Sequence, residues 1–82
     1  MADVTYYGAD WCTDCRRSKA FMLKHDVAFV ENNVEESAEL AAAAEKIAGR
    51  KNIPVIQFKD GSFLVEPSDA DLQAALAERG LI

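Results

Sequence analysis

The sequence predicts an α/β fold: one mixed four-stranded sheet with helices packed on it, in the order β-α-β-α-β-β-α. Two observations carry this. Extended β-branched or aromatic runs alternate with segments of helical period. The last two extended runs are separated by Asp60-Gly61, a hairpin signal. A helix between the first two strands requires a right-handed crossover and parallel pairing, whereas the hairpin is antiparallel. With 82 residues, half of them hydrophobic, the chain has room for a single domain over 1–82 around one modest core.

The elements follow in order. Val4 to Tyr7 is a β-branched and aromatic run closed by Gly8, the first strand. From Thr13 to His25 the pattern is helical, with Ser18, Phe21, Met22 and His25 on one face. Val27 to Val30 is predicted as the second strand. Ser37 can cap a helix running to about Ala48, with Leu40, Ala43, Ala44 and Ile47 turned inward and Gly49 as its stop. Ile53 to Phe58 and Ser62 to Val65 are the third and fourth strands. Ser68 caps the last helix, with Asp71 three residues on, and Gly80 ends it. Tyr6 and Tyr7 alternate faces on the first strand, so one belongs to the core and the other can line a site.

The net charge of −5 argues against nucleic acid or an anionic membrane as partner. No apolar run approaches the ~20 residues of a spanning helix. Asp3 stands where a secretory signal would carry basic residues, so a cytoplasmic location is expected. A reducing compartment rarely holds static disulfides.

That last point bears on Trp11-Cys12-Thr13-Asp14-Cys15, which follows the first strand and opens the first helix. Two cysteines three residues apart at a helix start can bring their sulfurs to bonding distance. Cys12 lies where backbone N–H groups lack partners, and these donors with the helix dipole favour a thiolate. Cys15 is one turn further in and more buried. The asymmetry assigns Cys12 as nucleophile and Cys15 as the thiol that resolves the mixed disulfide. Three other readings stand beside this: a structural disulfide, a zinc site, and two cysteines with no joint role. Zinc needs about four ligands, and the chain has two cysteines and one histidine, His25; no metal is expected. Asp14 puts a carboxylate in the turn, which either opposes a thiolate or simply complements the helix N-terminus.

On these residues, and on Ile53-Pro54, Asp60-Gly61 and Glu66-Pro67-Ser68, the chain resembles the glutaredoxin family of the thioredoxin superfamily, most closely the actinobacterial mycoredoxins and related redoxins. The resemblance spans nearly the whole chain. It implies a thioredoxin-like fold with helices on both faces of the sheet, and a monomer. It implies a dithiol thiol–disulfide oxidoreductase that reduces protein disulfides or mixed disulfides. A low-molecular-weight thiol, mycothiol or glutathione, would be co-substrate, and a flavoprotein reductase is an alternative electron donor. Pro54 resembles the family's cis proline, which sets the Ile53 backbone beside Cys12. Lys51 resembles a basic residue that contacts a carboxylate of the small thiol. Ser68 and Asp69 resemble the residues that receive its other end. Trp11 resembles an apolar wall beside the nucleophile, and Thr13 and Asp14 complete the binding surface of the turn. Some members hold a [2Fe–2S] cluster on the first cysteine, the alternative use of Cys12. The chain departs from the family pattern at Asp14, where a tyrosine is common, and at Val65-Glu66-Pro67, where paired glycines stand.

Overall fold

A computed structural model describes residues 3–82; Met1 and Ala2, at the edge of the expected domain, lie outside the described residues. Along the chain run β1 (Val4–Gly8), α1 (Thr13–Lys24), β2 (Val30–Asn33), α2 (Ala38–Ala48), β3 (Val55–Phe58), β4 (Phe63–Val65) and α3 (Asp69–Glu78). The sheet order is β2-β1-β3-β4. β1 pairs with β2 in parallel and with β3 antiparallel, and β3 and β4 form the hairpin. This is the expected mixed sheet.

Strand periodicity divides the apolar residues between two layers. Val4 and Tyr6 of β1 and Ile56 and Phe58 of β3 turn to one face, where Cys15 and Met22 of α1 and Leu72, Ala75 and Leu76 of α3 complete the larger core. Tyr7 and Val55 turn to the other face and meet Ala44 of α2. Helices therefore cover both faces, α1 with α3 on one and α2 on the other.

Helix ends are fixed by side chains that meet free backbone groups. Ser37 Oγ accepts from Glu39 N at 3.1 Å, and Ser68 Oγ from Asp71 N at 3.1 Å. Gly49 and Gly80 take positive φ at the ends of α2 and α3, as expected of terminating glycines.

The second strand departs from expectation: it is Val30–Asn33, not Val27–Val30. The cause is the end of α1. Asp26 takes φ +55, Val27 N–H donates to Met22 O at 2.9 Å, and Asp26 N–H donates to Leu23 O at 3.2 Å. This is a Schellman termination. Val27 is the residue just past the helix, buried beside Met22 in the same core; it belongs to the helix cap and not to a strand. β1 extends one residue to Gly8, and β3 begins at Val55, two residues later than predicted. His25 is exposed, so the buried face of α1 is Cys15, Ser18 and Met22.

Candidate active site

The redox turn sits where β1 gives way to α1. Cys12 is the N-cap of α1, in extended conformation. Its N–H donates to Ala9 O at 3.2 Å, which closes the turn after Gly8. Its sulfur accepts from Cys15 N–H at 3.2 Å. A cysteine thus occupies the place that Ser or Asp commonly holds at a helix start, with one of the first turn's free donors, the Cys15 N–H, aimed at sulfur. Both cysteines are free thiols.

The two thiols stand in different surroundings. Cys12 retains 9% exposure, and Cys15 has none. Burial pushes the Cys15 thiol up to about 12, and its hydrogen bond with Cys12 adds to this; the Ala9 backbone and the Tyr6 hydroxyl act in the opposite sense.

Across the turn, the Ile53–Pro54 peptide is cis. The Cys12 S–H faces Ile53 O at 3.9 Å, and Pro54 is buried. Trp11 is 67% exposed. With Lys51, Asn52 and Ile53 it walls a groove of about 480 Å³ that runs along α2 past Ala38 and Ala41. Ile53 therefore stands beside Cys12 with Pro54 next to it in sequence, and Trp11 and Lys51 line the groove that Ile53 also walls. Thr13, exposed, begins α1.

Asp14, Ser68 and Asp69 gather on the opposite flank. Arg17 connects them: its Nη1 lies 3.2 Å from Asp14 Oδ1 and its Nε 3.8 Å from Asp69 Oδ1. Its Nη2 donates to Pro67 O at 3.4 Å. One guanidinium thus spans from the redox helix to the head of α3. Glu66 takes φ +50 just before that helix, accepts from Asn52 Nδ2 at 2.7 Å through its side chain, and donates its N–H to Pro54 O at 2.9 Å. Glu66 thus ties the loop before α3 to Asn52 and to Pro54.

Sequence reading gave no site role to Arg17 or Gly8, and left open which of Tyr6 and Tyr7 belongs to the core. For Arg17, the i,i+3 spacing from Asp14 is a helical pair signal. Tyr6 and Gly8 share a face of β1 and sit directly under Cys15: a Cβ on Gly8 would strike the Tyr6 hydroxyl and lie 3.1 Å from Cys15 Sγ. The Tyr-x-Gly spacing leading into a cysteine turn was the available sign. Among the described residues, no cluster of three or more His, Cys, Asp or Glu could hold a metal ion.

A cysteine pair at a helix head, against a cis proline and on this sheet, defines a thiol–disulfide oxidoreductase of thioredoxin-like fold. The glutaredoxin family model matches residues 4–64. A Mycobacterium tuberculosis protein that carries the glutaredoxin name, in two strains, is 32% identical over 81 residues, covering 94% of this chain and 93% of the relative. The chain belongs to the glutaredoxin family. Its fold is similar to that of an Archaeoglobus fulgidus glutaredoxin, with TM-score 0.81, 22% identity, and 90% and 85% of the two chains covered. It is also similar to buckwheat glutaredoxin in its glutathione complex, with TM-score 0.71, 18% identity, and coverage of 99% and 82%.

Proposed function

We propose that the protein is a dithiol oxidoreductase in which Cys12 attacks and Cys15 resolves, within a single domain spanning 1–82. The observation that carries this is the asymmetry of the pair: Cys12 caps the helix, partly exposed, with an N–H donor at 3.2 Å, whereas Cys15 is fully buried behind it. The Cys12 sulfur attacks one sulfur of a disulfide R–S–S–R′ and expels R′–S⁻, leaving Cys12–S–S–R. Cys15, having lost its proton, attacks Cys12 Sγ and expels R–S⁻, leaving an internal disulfide. Two equivalents of a small thiol restore the dithiol and become a disulfide themselves. The electron balance is closed by substrate and co-substrate.

Ile53 supplies backbone groups beside Cys12 for an extended substrate, with Pro54 fixing the edge of that surface. Trp11 gives it an apolar wall, and Thr13 lies at the mouth of the turn. Lys51 offers a cation to a carboxylate of the small thiol. Ser68 and Asp69 receive its opposite end. Arg17 already occupies Asp69, and Asp14 with it, so this end of the site differs in charge arrangement from a free carboxylate. That favours mycothiol, or direct reduction by a flavoprotein reductase, over glutathione as donor. The site of action is the cytoplasm, the protein acts as a monomer, and its substrates are disulfide-containing proteins. Among the described residues, no helix is long and apolar enough to cross a membrane.

The test is a turnover assay with glutathione, mycothiol or thioredoxin reductase as alternative reductants of the oxidised protein. Cys12→Ser should lose all turnover. Cys15→Ser should trap a mixed disulfide detectable by mass. Retention of full activity by Cys12→Ser would refute the assignment.

A further inference from the structure

Tyr6 is a phenol in an apolar core, 3% exposed, with its ring edge-on to Phe29 at 5.9 Å. Its hydroxyl is part of a residue that is almost wholly enclosed. It lies under Gly8, close enough that a methyl there could not be fitted, and that same methyl would sit 3.1 Å from Cys15 Sγ. The hydroxyl and the buried sulfur are thus brought together across one missing side chain. Cys15 has no exposed surface, so no water shell stands ready to stabilise charge on its sulfur. The polar groups that reach it are the Ala9 backbone, Cys12 and the Tyr6 hydroxyl.

We propose that Tyr6 is the hydrogen-bond donor of the resolving step, holding the Cys15 sulfur as it gains negative charge and attacks Cys12. This rests on the assignment of Cys12 as nucleophile and Cys15 as resolver. At that step Cys15 gives its proton to water, the new Cys12–Cys15 bond forms, and the Cys12–S–R bond breaks. R–S⁻ leaves and takes a proton from water. The Cys15 sulfur is oxidised and the R sulfur is reduced. Tyr6 keeps its own proton throughout. Burial, with Cys15, Glu31 and Cys12 nearby, holds its hydroxyl well above the ordinary phenol range, which makes it a donor and not a base. A neutral donor aimed at a charged acceptor is among the stronger protein hydrogen bonds.

The ionisable groups around this pair are few. Cys12 faces it from the head of α1. Glu31 faces it from β2, and is itself held by Lys19 of α1 at 2.7 Å. β3 and α3 contribute Ile56, Leu72 and Leu76 to this core, all apolar. A pH profile of the second step therefore reports mainly on Cys15 and its donor.

The experiment uses the reduced full chain and Ellman's reagent, followed by stopped flow. The first thionitrobenzoate released reports attack by Cys12, and the second reports resolution by Cys15. In Tyr6→Phe the first release should stay within about twofold of wild type. The second should slow by about tenfold or more, with its pH profile displaced to higher pH. A second release at wild-type rate and pH dependence in Tyr6→Phe would overturn the proposal. If Tyr6→Phe does not fold, 3-fluorotyrosine is placed at position 6 in a Tyr7→Phe background, which keeps the ring and makes the hydroxyl a stronger donor. The second release should then quicken relative to Tyr7→Phe alone and shift to lower pH; no change overturns the proposal. The underlying assignment fails differently, by the absence of any second release in wild type or its persistence in Cys15→Ser.

Discussion

At the scale of single residues, the site works through contrast between neighbours. Cys15 is buried and raised to about 12, so near neutrality only a small fraction is thiolate. The sign follows directly: burial disfavours the charged form, and raising pH restores it. Once Cys12 is tied in a mixed disulfide its own hydrogen bond is gone, but the burial remains. The resolving rate should therefore climb by up to about tenfold per pH unit through neutrality, measured as the second thionitrobenzoate release; a flat profile would contradict a rate set by Cys15 ionisation. Ser18, one turn after Cys15, is fully buried and its hydroxyl has no partner among the described residues. An unmet hydroxyl costs free energy that an apolar atom does not. Ser18→Ala should be neutral or stabilising by up to about 1 kcal/mol in urea denaturation. Cys12 and Cys15 were legible as a pair because their spacing is local. Tyr6 was not, because its meaning depends on a hydroxyl reaching beneath Gly8 to a residue on another element.

At the scale of elements, the termini decide where the chain goes. Helices α2 and α3 were legible because their caps are written in adjacent letters: Ser37 and Gly49, Ser68 and Gly80. The end of α1 was not, because Asp26 stands where a glycine is usual. β2 was hidden for a second reason. It is an edge strand of Val30, Glu31, Asn32 and Asn33, largely open to solvent, and such polar residues are poor strand formers on propensity alone. Its pairing with β1 places it there regardless. Asp26 at φ +55 carries a side chain in a conformation that glycine adopts without cost. Asp26→Gly should raise stability by about 0.5 kcal/mol, read as a higher denaturation midpoint at unchanged slope; a lower midpoint would show that the aspartate supplies something beyond the turn.

At the scale of the whole molecule, the sheet separates a deep core from a thin one. α1 and α3 bury long side chains on one face, whereas α2 buries only Ala44 against Tyr7 and Val55 on the other, with Ala43, Ile47 and Ala48 half-buried beside it. The proposed single domain requires these layers to fail together. Near-UV circular dichroism of buried Tyr6 and Tyr7 and far-UV circular dichroism of the backbone should give one coincident transition in denaturant. Separate midpoints would mean that the α2 layer unfolds on its own. The parallel pair and the hairpin were legible from element order, since chain connectivity allows few alternatives; the two-sided cover followed only from the family resemblance. The groove beside α2 was not, because it arises from small side chains that leave space. Its outer wall is Trp11, the sole tryptophan of the chain, adjacent to Cys12 and standing mostly in water. The molecule therefore carries a built-in optical gauge. Whatever occupies the groove must cover that indole, and its emission colour can follow docking without a dye, a tag or an enzyme assay.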